Sequence, residues 1–409
     1  MRYNTEIIKS ERARTAPDYI LYTPTFREYE SDNVHLHVVY HKQYDGLIAF
    51  WTQSSVEGFG NNHLLLAYSK DDGKTWTKPQ YILGVRPDSK PNEKQASWGF
   101  PVVSASGRIY LFYFRETDYV DNSRQLTAAF ACIVSDDFGK TWSESVDIPM
   151  RITPYDNGMI QNNNVCQTPF RLPDGAVLIG MTKWTSYAVC PPNGKWYEDD
   201  AHLYFMRLEN IDDDPDPKNL KITFLPDDIH GVGIPLGDGI RSCAQEPFTV
   251  CLPDGRLFCT LRTALGYAAY TVSADGGHTW SIPKPLRYDD GKELIHPLSP
   301  CPIYALPEKG KYLFLYHNRA EDIGGSRNTV YRIVGTFDEK SDQPIVFENG
   351  TQSLWMEVPP ETGALNIRFD LALYGSVTNK DGKMILWYPE RKFFLLGKDI
   401  EKNTEKDAK

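Results

Sequence analysis

The chain has 409 residues, with 44 Lys and Arg against 54 Asp and Glu, a formal net charge of −10, and 13% aromatic residues. No basic run exceeds two residues, which argues against a nucleic-acid partner, and no apolar run reaches the roughly 18 residues of a membrane helix. Seven cysteines without a CxxC spacing disfavour a disulfide framework or a zinc module, and scattered histidines without HExxH spacing predict no catalytic metal and no cofactor.

Residues 1–15 lack the apolar core of a secretory signal and are expected to be peripheral; the compartment stays open. A glycine turn followed by an apolar run then recurs six times, at Asp45-Gly46, Ser106-Gly107, Asp174-Gly175, Asp254-Gly255, Lys309-Gly310 and Asp381-Gly382, with a mean spacing of about 67. Such turns between apolar runs predict hairpins. A second pattern, S-x-D-x-G-x-T-W, occurs at Ser69–Trp76, Ser135–Trp142 and Ser273–Trp280. The first two copies lie 66 residues apart and the last two 138, about twice that, so degenerate copies are expected near residues 204 and 338. Each unit reads as two strands joined by a glycine turn, then a third strand ending in the Asp-containing turn. Repeats of about four strands predict propeller blades. The expected fold is therefore all-β, a six-bladed β-propeller spanning residues 1–409 as one domain. The charged tail 398–409 is expected to be peripheral, and the acidic insert Asn210–Asn219 a solvated loop.

The S-x-D-x-G-x-T-W turns read as scaffold: Asp accepts turn N–H groups, Gly supplies a permissive φ, and Trp packs between blades. Chemistry is expected at the opposite end of each hairpin, where the first strand starts and the second ends. Strand starts there carry His35, His37, Trp98, Gln167, Glu246 and Tyr374; strand ends carry Glu57, Arg115, Arg262, Asn318 and Arg319. Inner strands line a propeller axis, so these side chains are expected to converge on one axial mouth. Arginine suits bidentate binding of a carboxylate. Glu57, Glu116, Glu246 and Glu390 could equally neutralise the arginines internally.

The residues from Gln245-Glu246 through Asp254-Gly255-Arg-Leu to Arg262, ending in Ser273–Trp280, resemble the sialidase-like superfamily with Asp-box (BNR) repeats. The resemblance covers nearly the whole chain. It implies that Glu246 assists a nucleophile, that Arg262 binds a carboxylate, that Arg327 in Gly-Gly-Ser-Arg-Asn-Thr-Val competes with Arg319 for a second such role, and that Tyr374 is the nucleophile. Sialidases are exceptional among glycosidases in using Tyr this way. Two places depart from the sialidase pattern: His35-Leu-His37 stands where a first triad arginine is expected, and Trp51–Glu57 stands where an acid/base Asp is expected. Both point to the divergent BNR-repeat-like branch.

The leading expectation is a carbohydrate-active enzyme, an exo-acting glycoside hydrolase on an acidic or polar glycan. Glu57 would be the general acid, Glu246 the base, Tyr374 the nucleophile, and Trp51, Trp98 and Trp184 stacking platforms. Two alternatives stay open. One is a lyase on a uronate-containing glycan, with His35 or His37 as base and Tyr374 as acid. The other is a glycan-binding propeller without catalysis.

Overall fold

The computed structural model describes residues 12–25, 29–57, 60–86, 88–89, 92–119, 121, 127–319, 327–359, 371 and 373–401. Six antiparallel sheets form the six blades of a β-propeller. Blade 1 runs outward through Asp32–His41, Gly46–Ser54, His63–Ser69 and Gln80–Gly84; blade 2 through Ala96–Val103, Ile109–Glu116, Thr127–Ser135 and Val146–Asp147. In blade 3 the inner strand is broken into Asn163–Asn164 and Phe170–Arg171, followed by Val177–Trp184, Ala201–Leu208 and Ile222–Leu225. Blade 4 comprises Gln245–Cys251, Leu257–Arg262, Ala269–Ser273 and Lys284–Pro285. Blade 5 comprises Ile303–Ala305, Lys311–Tyr316, Thr329–Phe337 and Ile345–Phe347, with Ser353–Glu357 also paired to its third strand. Blade 6 takes Ser376–Lys380, Lys383–Glu390 and Phe394–Asp399 from the end of the chain and its outer strand, Tyr19–Tyr22, from the beginning. All six glycine turns join the first and second strands of their blades, as the spacing predicts.

The three S-x-D-x-G-x-T-W segments link third and fourth strands and share one hydrogen-bond pattern. Ser69 Oγ donates to Asp71 Oδ1 (2.9 Å) and accepts from Gly73 N (2.9 Å), while Thr75 N and Oγ1 donate to the Asp71 carboxylate at 2.9 and 2.7 Å. Asp137 with Thr141 and Asp275 with Thr279 repeat it. Each tryptophan packs on the preceding blade. Trp76 meets Trp387 of blade 6 edge-on at 5.3 Å, Trp142 meets Phe50 of blade 1 at 6.4 Å, and Trp280 stacks on Phe205 of blade 3 at 4.7 Å. A Cβ on Gly73 would lie 2.3 Å from the Trp387 ring, so only glycine lets this turn close on its neighbour.

Three expectations change. The insert after blade 3's third strand is not a free loop: it forms two short 3-10 turns, Ile211–Asp213 and Pro217–Asn219, with Ile211 and Pro217 buried. Its Asp212 carboxylate accepts from Ala105 N and from both terminal nitrogens of Arg171, which fastens it to blade 2 and the inner strand of blade 3. The chain ends are also not peripheral where they are described. Thr15 and Lys398 are buried, and the Lys398 ammonium donates to the carbonyls of Thr15 and Ala16. Residues 1–11 and 402–409 lie outside the described residues. In blade 3 the turn equivalent to the Asp-containing repeat follows Leu208, later than residue 204, because the third strand runs on to that residue.

Hydrogen bonds from Thr75 pull the Asp71 carboxyl from 3.8 to about 2, and those from Thr141 do the same at Asp137. At Asp275 burial works the other way, but the Thr279 bonds still bring it to about 2. A depressed folded-state pKa stabilises above the unfolded value and is lost as pH falls through the folded one. The triple variant Asp71→Asn, Asp137→Asn, Asp275→Asn is therefore expected to melt lower than the parent at neutral pH. Its melting temperature should also fall less steeply between about pH 4 and pH 2. Thermal melts across that range check this; a parent-like acid profile would contradict it.

Candidate active site at the axial end

The inner strands of blades 1, 2 and 4 each bulge near their start, between Val34 and His37, Ser97 and Phe100, and Gln245 and Phe248. The residues in the left-handed conformation are His35, Trp98 and Glu246, at φ 52°, 54° and 51°. That backbone is costly for a residue with a Cβ and needs external support. Neighbouring blades supply it. Trp98 N donates to Thr52 Oγ1 (2.8 Å), Glu246 N to Thr182 Oγ1 (2.7 Å), and Leu36 N to the Tyr374 carbonyl (3.0 Å). Bulges of this kind re-aim side chains beside active sites, and here the three side chains belong to one cluster.

Its centre joins blade 4 to blade 6. Arg262 Nη1 donates to Glu246 Oε1 at 2.7 Å and contacts the Tyr374 hydroxyl at 3.2 Å; the Tyr374 hydroxyl lies 3.1 Å from the same Glu246 oxygen. The His35 ring sits 5.0 Å from the Tyr374 ring and 5.8 Å from Trp98. All five residues are buried. Burial, followed by the Glu246 charge, raises the Tyr374 pKa well above 10, with Arg262 and Arg327 acting against the rise. Burial opposes the Arg262 charge, but Glu246 and then Tyr374 raise its pKa above the usual value. Burial lowers His35 well below 6.5, helped by His37 and Lys392, so its imidazole is neutral. Glu246 Oε2, Arg262 Nε and His35 Nδ1 are buried and take no hydrogen-bond partner among the described residues. Unsatisfied polar atoms gathered on one axis mark a place for water or a polar ligand.

Lys392 belongs to this cluster and was missed in the sequence. It lies with Arg391 at the centre of the turn Glu390–Phe393, at φ 57° and 53°, and its carbonyl accepts from Asn33 N of blade 1 at 2.6 Å. Its ammonium lies 5.3 Å from the Tyr374 ring centre and 3.0 Å from Glu57 Oε2. Positive φ at both central residues defines a type I′ turn. The signal in the sequence is its position, two residues after the strand end at Glu390.

Other expected residues go elsewhere. Arg115 points outward to Asp147 on the outer strand of blade 2, at 2.9 Å, because its strand register turns it from the axis. Gln167 exchanges hydrogen bonds with the backbone of Thr249 (2.9 and 2.8 Å), a strut between blades 3 and 4. His37 is fully buried against Phe100 and bonded to Thr168 Oγ1 at 2.7 Å, and burial lowers its pKa to about 3. Of the competing arginines, Arg319 is exposed and donates to Asn328 at 3.1 Å, whereas the charge of Arg327 acts on Tyr374. Asn318, at φ 52°, follows His317 on blade 5. Glu390 is enclosed by the N-terminal segment, accepting from Arg14 N and Thr15 N at 2.8 and 2.9 Å. Trp51 is fully buried in the core, so it offers no sugar platform.

Residues 45–382 match the BNR repeat-like domain. The chain belongs to that family. No curated protein matches its sequence. Among solved structures, this BNR repeat-like chain is similar to a protein of unknown function from Dyadobacter fermentans, at 15% identity and a TM-score of 0.62, covering 94% of this chain and 97% of the other. It is also similar to a Hadza microbial sialidase, at 15% identity and 0.63, covering 92% and 67%. A sialidase of Streptococcus pneumoniae aligns at 12% identity and 0.62, covering 98% and 73%. At these identities the likeness concerns the fold.

Removing one partner of a buried pair leaves an uncompensated charge, at a cost of about 3–5 kcal/mol. Arg262→Met is expected to destabilise the protein by about that much. Arg262→Met combined with Glu246→Gln should recover a large part of it, because the stranded carboxylate is gone. Chemical denaturation of the two variants measures the difference; equal losses would contradict the coupling.

Proposed function

We propose that this BNR repeat-like protein is a carbohydrate-active enzyme, a glycoside hydrolase acting on an acidic glycan at the axial end of the propeller. The observation that carries this reading is the Tyr374–Glu246–Arg262 triangle, with contacts of 2.7, 3.1 and 3.2 Å. A tyrosine whose proton is held tightly is a poor nucleophile until a base takes that proton during attack. Glu246 Oε1 is within hydrogen-bond reach to do so. Tyr374 would attack the anomeric carbon, Glu246 would accept its proton, and Glu57 at the rim would protonate the departing oxygen. Water would then release the sugar from Tyr374, with proton flow reversed. Arg262, Arg327 and Lys392 would hold the substrate carboxylate, and Trp98 would face the sugar ring.

A second reading rests on His35. A neutral imidazole 5.0 Å from a tyrosine ring supplies a base and an acid for β-elimination from a uronate, without a covalent intermediate.

A panel of acidic glycosides and uronate-containing oligosaccharides, followed by reducing-end release and ultraviolet absorbance together, separates these readings. Hydrolysis gives reducing ends alone, and elimination adds absorbance from the new double bond. On a confirmed substrate, Glu246→Gln is expected to lower kcat by about 10²–10⁴-fold. Unchanged turnover in that variant would remove Glu246 from the mechanism. Binding without turnover by the parent would leave a glycan-binding propeller.

A further inference from the structure

A second polar cluster lies at the same end of the propeller but away from the axis, where the third strand of blade 3 begins. Asp200 immediately precedes that strand and His202 is its second residue. His230 comes from the segment connecting blade 3 to blade 4, beyond Leu225. His202 Nε2 lies 3.2 Å from Asp200 Oδ1, and His230 Nε2 lies 3.8 Å from Asp200 Oδ2. One ligand atom from each of the three falls within 4.8 Å of the others.

The spacing is that of ligands around a shared ion. Two donors each about 2.0–2.1 Å from a tetrahedral ion lie about 3.3–3.4 Å apart, between the two separations seen here. The longer one is beyond hydrogen-bond range, and His230 Nε2 is a buried atom with no hydrogen-bond partner among the described residues. The ligands are also held in place. The His230 ring is sandwiched between Tyr155 at 3.7 Å and His202 at 3.8 Å. Asp200 Oδ2 accepts from Thr185 Oγ1 at 2.5 Å and Oδ1 from Ser242 N at 2.7 Å. Hydrogen bonds of this kind to a carboxylate orient it as a metal ligand. Two imidazoles and one carboxylate suit zinc-class ions, whereas calcium and magnesium favour all-oxygen sets. The His230 side chain is 35% exposed, which gives an ion a way in.

We propose that Asp200, His202 and His230 bind one divalent transition-metal ion of the zinc class, leaving a fourth position for water. No sequence motif announces it, because the third ligand comes 28 residues after His202. The ion would clamp the third strand of blade 3 to the segment leading into blade 4. Ser242, which donates to Asp200, is four residues before Glu246, so this clamp also braces the start of the strand that carries the axial carboxylate.

The test uses the full chain, free of any histidine tag and treated with chelator. Zinc is titrated by calorimetry and cobalt by visible absorption. The parent is expected to take one equivalent of either ion, with cobalt d–d bands of a nitrogen–oxygen site and a raised melting temperature. His230→Ala, on a half-buried connecting segment, should weaken zinc binding by at least about 10-fold while melting like the metal-free parent. His230→Gln, with a side chain closer in size to histidine, is the second variant should the first fail to fold. No stoichiometric binding by the parent overturns the proposal. So does parent-like affinity in a folded His230 variant, which would place the ion on other side chains such as the exposed His278–Asp227 pair.

Discussion

When Tyr19–Tyr22 pairs with Phe394–Asp399, the beginning of the chain becomes the outer strand of the last blade, and a row of six sheets becomes a ring. The central cluster exists only under that condition. Glu246 and Arg262 come from blade 4, Tyr374 from the entry to blade 6, His35 from blade 1 and Trp98 from blade 2, so their contacts span the circumference. The seam is reinforced beyond the strand pairing. Trp387 of blade 6 takes the Trp76 indole of blade 1 on its edge, and Glu390 is bonded to the backbone of Arg14 and Thr15. Trp387 is fully buried and Trp76 half-buried against it, and truncating a buried tryptophan costs about 3–5 kcal/mol.

The cluster is a buried polar network, where partial satisfaction is expensive. Glu246 and Arg262 neutralise one another, and Tyr374 shares the same carboxylate oxygen, so the three hold each other in register. Among the described residues, the second carboxylate oxygen and the guanidinium Nε take no hydrogen-bond partner. A site built this way is firm in geometry and still has bonding capacity for what enters it. Lys392 and Glu57 extend the same electrostatic system toward solvent, with the buried Lys392 ammonium 5.3 Å from the Tyr374 ring and 3.0 Å from the exposed Glu57 carboxylate.

The architecture was legible because each blade repeats its own chemistry. Glycine turns mark the first hairpin of all six blades, and the Asp-containing turns mark the third strand in blades 1, 2 and 4. Glu246, Arg262, Tyr374, His35 and Trp98 were also legible, since strand starts and strand ends at one end of a blade must share a face. Direction across a strand was harder. Arg115 sits at the expected level but turns outward to Asp147, and a period of two allows either sense unless register is known. Bonds between blades were invisible as well, which is why Gln167 looked like a ligand group and is a strut to Thr249. Composition misleads at the ends and at the acidic insert: Lys398 is buried because two carbonyls take its ammonium, and the insert is fastened because Arg171 meets the exposed Asp212 carboxylate.

The left-handed bulges at His35, Trp98 and Glu246 have a consequence for reading other members of this family. Glycine would hold that backbone conformation more cheaply, by about 1–2 kcal/mol per position. A blade whose bulge residue is glycine would keep its shape and surrender the group it sends to the axis. These three positions therefore record which of blades 1, 2 and 4 send a side chain to the axis. In a relative, three letters of sequence would then tell which of those blades reach the axis, before any loops are compared.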